Sequence, residues 1–332
     1  MKSNTLLEVK NVKKHFPVSD KKLFSTHKNY VQAVNGVSFT INEGETFGLV
    51  GESGCGKSTL ARLIMGLIKA DSGEINFEGR NFLELRGREL RKSRKQMQMV
   101  FQKPYESLNP KMTVGQIISA PFDIHGVYNK QERVQKVKDL LEMVGLSQQY
   151  INRYPHEFSG GQRQRIGIAR AIALNPKLVI CDEAVSALDV SIQSQILNLL
   201  NELQKEFKLT YLFISHDLSV VKHVSDKIGV MYLGEIVEVG DAEKIYKNPK
   251  HPYTQALLSA IPIPDPTFKK ERIVLDGDLP SPINPPSGCR LSTRCPYVIP
   301  LCKEMKPELS TIGSNHMAAC HLFSESKLQK IN

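Results

Sequence analysis

The chain has 332 residues, 41% of them hydrophobic and 23% charged, an ordinary composition for a water-soluble protein with room for a large domain and a smaller one. The net charge of +10 is spread too thinly to single out nucleic acid, an anionic surface or a nucleotide as partner. No run of ~18 apolar residues occurs and "MKSNTLLEVKNVKKHF" lacks the apolar core of a secretory signal, so a cytosolic chain without a membrane span is expected.

Residues 6–50 alternate apolar and polar, "LLEVKNVKKHF" and then "VQAVNGVSFTI", as antiparallel strands do. A polar insertion, "PVSDKKLFSTHKNY", separates the two runs. The apolar "TFGLV" then leads into "GESGCGKST" and the helical pattern "STLARLIMGLI". Strand, glycine-rich turn and helix is the context of a phosphate loop, G-x-x-x-x-G-K-[ST]. Gly51, Glu52, Ser53, Gly54, Cys55 and Gly56 offer backbone N–H groups to anionic oxygens. The helix start adds its dipole, Lys57 would reach the β- and γ-phosphates, and Ser58, followed by Thr59, would ligate Mg²⁺. This stretch implies a nucleoside triphosphate.

Residues 85–97 are basic and read as a solvated face that could be helical. From 103 to 160 strand runs disappear and patterns such as "QERVQKVKDLLEMVGL" predict a helical insertion, entered through "MQMVFQ" and Gln102. In "FSGGQRQRIGIARA", Ser159, Gly160, Gly161 and Gln162 open a helix that is either an ordinary capped one or a second anion-binding start. A second start makes sense if it completes the site of another subunit. The apolar strand "KLVICDE" ends in Asp182, placed to hold Mg²⁺, and Glu183, placed to polarise an attacking water. After the helical "SIQSQILNLLNELQKEF", the strand "TYLFISHD" carries His216 to the same sheet edge, where a γ-phosphate contact is favoured over a merely satisfied polar residue. Strands alternating with helices predict a doubly wound α/β sheet, and the prolines that multiply from about residue 250 predict a boundary followed by an irregular appendage.

The order of phosphate loop, Gln102, "SGGQ", "LVICDE", "SALD" and His216 resembles the ATP-binding subunit of an ATP-binding-cassette (ABC) transporter over residues 5–245. "FQKPYESLNPKMTVGQII", "HPYTQALLSAIPIPDP" and the cysteine-bearing tail are similar to the ATPases of oligopeptide and dipeptide importers, and to the second ATPase of such a pair. The resemblance implies an α/β P-loop NTPase with a RecA-like core, an antiparallel β subdomain and a helical subdomain near 103–160, forming a nucleotide-binding domain over 1–250. Residues 251–332 would be a small C-terminal extension. It also implies a head-to-tail dimer in which Lys57, Ser58 and Thr59 of one subunit face Ser159 to Gln162 of the other across ATP. Gln102 and Asp182 would assist Mg²⁺, Glu183 would be the catalytic base, and His216 would sense the γ-phosphate. Ser186 to Asp189 would communicate between the two sites, and Phe16, ahead of Tyr30, would stack on adenine. Partners implied are a second, homologous ATPase in a heterodimer, two transmembrane permeases and an extracytoplasmic solute-binding protein, with no nucleic acid. Such a chain sits peripherally on the cytoplasmic face of the cell membrane.

Four of the six cysteines, Cys289, Cys295, Cys302 and Cys320, fall in the last 44 residues with five, six and seventeen residues between them. Disulfides do not suit a cytosolic chain, and four thiols in a short Pro-rich tail favour a metal centre over unrelated buried thiols. The spacing matches neither paired zinc ligands nor ferredoxins, and so leaves zinc and iron–sulfur open. Similar importer ATPases carry a 4Fe-4S cluster in this tail, which the resemblance therefore favours over zinc. Cys55 and Cys181 read as small buried residues. The main reading is an ATP hydrolase powering peptide import. Import of nickel or another small solute, or a soluble ABC ATPase of DNA repair or translation, are the alternatives.

Overall fold

The computed structural model of the chain describes residues 5–18, 29–261 and 272–323. Most of the polar insertion read between the first two strand runs, and the proline-rich "PIPDP" after Ile261, lie outside the described residues. The chain divides into two compact units, one of Met1–Leu6, Ile41–Thr46 and Glu84–Ile214, the other of Leu7–Thr40, Phe47–Leu83 and Ser215–Asn332.

In the first unit three strands run parallel: Met97–Val100 beside Leu178–Asp182, in register Met97 to Leu178, and Leu178–Asp182 beside Thr210–Ser215, in register Cys181 to Phe213. Leu178–Asp182 and Thr210–Ser215 are buried at every position, which is why they read as unbroken apolar runs rather than alternating ones. The helix Val190–Phe207 buries Ile196, Leu199, Leu200 and Leu203, one stripe at helical spacing. Asp189 caps its start by accepting from the Ile192 amide, and Lys208, at φ +52°, ends it. No strand lies among the described residues between 103 and 160. Helices Val114–His125 and Lys130–Met143 there both begin in full capping boxes, Thr113 with Gln116 and Asn129 with Glu132. The basic stretch forms the helix Gly87–Gln96, which has no buried residue.

In the second unit Thr5–Val18 pairs antiparallel with Ser72–Phe77, within a four-stranded sheet that also holds Asn29–Asn42 and Arg80–Asn81. Thr46–Val50, buried throughout, pairs parallel with Lys227–Tyr232, in register Gly48 to Ile228. Glu235–Asp241 pairs antiparallel with Lys227–Tyr232 on one side and with His316–Ala318 on the other. Two readings change here. The helical pattern from Ser58 to Ile68 is cut at Ile64, because Gly66 turns left-handed at φ +62° where a Cβ would meet the Phe82 ring at 2.7 Å. The tail, expected to be irregular, holds helices Pro252–Ser259 and Pro300–Glu304 and the hairpin Ser310–Gly313 with His316–Ala318, bonded into the second unit's strands. Its short elements carry too little periodicity to be legible alone. Among the described residues no helix is long and apolar enough to cross a membrane.

Candidate functional site

The phosphate loop leaves the buried strand Thr46–Val50 and enters the helix Lys57–Ile64. Gly56 caps that helix at φ +110°, and a Cβ there would come within 2.0 Å of the Ala33 carbonyl oxygen, so the turn closes only around a residue that has none. Lys57 is 4% exposed. Its ammonium donates to the carbonyls of Gly51 (2.7 Å) and Glu52 (3.0 Å) and lies 3.7 Å from the Cys55 sulfur. Carbonyl dipoles offset only part of the cost of burying a cation, so an anionic oxygen brought to Lys57 is strongly favoured. Burial pushes the Cys55 thiol up, keeping it a neutral packing group. In the same unit, His216 stands exposed just before Asp217, which accepts from the Ser219 amide at the next helix start. Phe16 is 37% exposed with the Lys14 ammonium 5.4 Å from its ring centroid, and Tyr30 is 42% exposed. Both rings are partly open to solvent.

The first unit brings Gln102 and Glu183 together: Gln102 Nε2 donates to Glu183 Oε2 at 2.6 Å. Glu183 holds φ +48°, a left-handed conformation that is strained for a residue with a Cβ. It is fixed there by its own amide donating to the Ile214 carbonyl (2.9 Å) and by Ser186, whose hydroxyl and amide both donate to the Glu183 carbonyl. The preceding residue, Asp182, is buried at the last position of its strand. Beside it the Cys181 thiol is pushed up to about 12 by burial.

Ser159 caps the helix Gly160–Ile172 in a capping box with Gln162: Ser159 Oγ accepts from the Gln162 amide (3.3 Å) and Gln162 Oε1 accepts from the Ser159 amide (3.1 Å). Ser159 and Gly160 are exposed, whereas Gly161 is buried, and a Cβ there would come within 2.4 Å of Ile192 Cγ2. Gly160 thus serves the open helix tip and Gly161 serves close packing, a division the sequence does not reveal. The Ile192 amide and the Ser191 hydroxyl hold the Asp189 carboxyl below its ordinary range.

The four tail cysteines, far apart in sequence, line one cavity of about 10 Å³ together with His251 and His321. All four are free thiols, and burial pushes Cys289 up to about 12 and Cys320 up to about 11. Convergent sulfur donors are the chemistry a thiophilic centre needs. The space is that of about one water molecule. Among the described residues no group of three or more His, Cys, Asp or Glu side chains is arranged to hold a metal ion. Neither histidine was among the expected residues, since nothing near it in sequence is a cysteine except Cys320. Also missed were Tyr253 and Arg294, which both bond to Glu52 of the phosphate loop. A larger groove of about 960 Å³ in the second unit, bordered by Phe39, Lys227, Ile236, Lys306 and Met317, includes none of the residues nominated from sequence.

Residues 34–186 match the family described as "ABC transporter", and residues 237–302 match "Oligopeptide/dipeptide transporter, C-terminal region". The chain is 56% identical over 323 residues to the oligopeptide transport ATP-binding protein AppF of Bacillus subtilis, covering 96% of this chain and 98% of the relative. The chain belongs to the ABC transporter ATPases of the oligopeptide transport family. Its identity to the oligopeptide transport ATP-binding protein OppF of Escherichia coli is 53%, over 95% of each chain. Among solved structures, the ATP-binding cassette MJ0796, captured as a dimer in a post-hydrolysis state with ADP and Pi, is similar with a TM-score of 0.62 and 30% identity over 71% of this chain and 99% of that one. The α/β P-loop NTPase fold expected from the motifs is therefore the fold of this protein. As an ABC transporter ATPase it binds and hydrolyses ATP.

Proposed function

We propose that the chain is the ATP-hydrolysing subunit driving import of oligopeptides or dipeptides through a membrane permease complex, docked on the cytoplasmic face of the membrane. Within that reading Lys57 takes the charge of the β- and γ-phosphates, and the loop amides of residues 51 to 59 cradle them. Ser58, Gln102 and Asp182 hold Mg²⁺, which lends charge neutralisation to the transferring phosphoryl group. Glu183 accepts a proton from the attacking water, His216 contacts the γ-phosphate, and Phe16 stacks on the adenine. The observation that carries the catalytic assignment is the 2.6 Å bond from Gln102 to Glu183, made to a glutamate held in a strained backbone conformation. Ser159 to Gln162 is the tip that meets ATP bound to a second, homologous ATPase, with Asp189 linking the two sites. The exposure of Ser159 and Gly160 supports that assignment. Two permeases and an extracytoplasmic solute-binding protein complete the assembly.

The nucleotide-binding domain is taken as residues 1–250, with a helical subdomain at about 103–160, and residues 251–332 as the extension. In that extension Cys289, Cys295, Cys302 and Cys320 hold a metal centre, an iron–sulfur cluster rather than zinc, which staples the segment. Their convergence on one cavity supports the donor set. Reconstitution with the permeases in liposomes tests the function. Peptide uptake that needs ATP and is lost with Glu183→Gln is expected; uptake that is indifferent to that change overturns the assignment.

A further inference from the structure

The tail does not merely follow the nucleotide-binding segment; it grips the phosphate loop. Arg294 lays its guanidinium across the Glu52 carboxylate, with Nη1 3.1 Å from Oε2 and 3.4 Å from Oε1, and Nη2 3.4 Å from Oε1. A planar fork spanning both carboxylate oxygens fixes orientation as well as distance. On the other side of the same residue, the Glu52 amide donates to the Tyr253 hydroxyl at 2.8 Å. Tyr253 is wholly buried, its ring 4.6 Å from that of Tyr232, whose hydroxyl also accepts from Arg294 Nη1 at 3.4 Å. Glu52 is the residue whose carbonyl accepts from the Lys57 ammonium. Side chain, amide and carbonyl of one loop residue are thus tied to Arg294, Tyr253 and Lys57.

A second tether runs beside the first. Arg290 donates to the Leu233 carbonyl and is ion-paired to Glu235 at 2.8 Å. Between them Gly234 donates its amide to the Cys55 carbonyl of the phosphate loop at 2.8 Å. Arg290 directly follows Cys289 and Arg294 directly precedes Cys295. The turn joining them is closed by the Ser292 amide on the Cys289 carbonyl and by the Arg294 and Cys295 amides on the Leu291 carbonyl. Arg294 Nε is buried without a partner, a cost that stability alone does not reward.

We propose that Arg294 is a positioning residue for ATP binding: through Glu52 it sets the peptide that cradles Lys57, so the tail determines the affinity of the phosphate loop. The inference rests on the reading of residues 51 to 59 as the ATP site. A clamp on the ground-state cradle acts on bound substrate and transition state alike, so its loss raises KM while kcat changes little. Arg294→Ala in the full chain should raise the KM and Kd for ATP about 10-fold with kcat within about 2-fold, and Arg294→Lys should recover part of the loss. Tyr253→Phe, which removes only the hydroxyl, should shift KM in the same direction. Because both act through one residue, Arg294→Ala in a Glu52→Ala background should add almost nothing. An unchanged KM in Arg294→Ala, a loss confined to kcat in step with a lowered melting temperature, or full additivity with Glu52→Ala would each overturn the proposal. Lys57→Ala serves as the control: if it leaves ATP binding intact the loop reading itself fails, whereas its loss beside an unaffected Arg294→Ala rejects the clamp alone.

Discussion

Gln102 and Glu183 are 81 residues apart in sequence and share a 2.6 Å hydrogen bond, the amide of one donating to the carboxylate of the other. Glu183→Gln keeps the shape and removes the base, so ATP should still bind while turnover falls about 100-fold or more. Single-turnover assays alongside equilibrium ATP binding check this, and undiminished hydrolysis would remove Glu183 from its role. Gln102→Ala, which frees the carboxylate from its donor, should slow hydrolysis by less.

Gly56 offers a steric test. Alanine there would meet the Ala33 carbonyl at 2.0 Å in a backbone conformation that L-residues avoid. Gly56→Ala should abolish ATP binding and lower stability by about 2 kcal/mol or more, read by nucleotide titration and thermal melting. Alanine at Gly54, where nothing lies within 4 Å, should cost much less despite its φ of +79°.

The cysteine-lined cavity makes an analytical prediction. Protein purified anaerobically should contain about four irons per chain and absorb broadly in the visible if the thiols hold a cubane cluster. Equimolar zinc instead would assign the alternative metal. Cys302→Ser should lower the metal content in either case, and its effect on melting temperature measures how far the centre holds the tail together.

His251 is 1% exposed, and burial pulls its pKa down from 6.5 to about 4, with Glu238 opposing the shift. The folded state therefore binds fewer protons than the unfolded state between those values. Stability is greatest above pH 6.5 and falls as pH drops toward 4, by about 3 kcal/mol in total for this group. Denaturant titrations at a series of pH values should show that slope, and His251→Gln should flatten it.

Legibility divided along a physical line. Unbroken apolar strands such as Leu178–Asp182, and the glycine-lysine loop, announce themselves because backbone sterics and burial act on contiguous residues. The positions of Asp182, Glu183 and His216 followed from strand ends in the same way. Arg294 and Tyr253 gave no signal, since their partner lies 242 and 201 residues away. Gly161 carries a second requirement that the letters do not show: it sits in a motif read as anion-binding, and a Cβ there would also come within 2.4 Å of Ile192 Cγ2. A capped helix start at Ser159 was one reading of the letters, but only the geometry shows the capping box with Gln162 and separates the exposed tip from the packed interior.

The hairpin Ser310–Gly313 with His316–Ala318 has one more consequence. Its second strand pairs with Glu235–Asp241 in register Glu238 to Ala318, and His316 meets the wholly buried Glu238 carboxylate at 2.7 Å. A chain shortened to its nucleotide-binding segment would uncover a row of unpaired amides and carbonyls along Glu235–Asp241 and take the His316 imidazole away from a buried carboxylate, the ingredients of edge-to-edge aggregation. A cassette trimmed of its tail should therefore tend to aggregate through that edge.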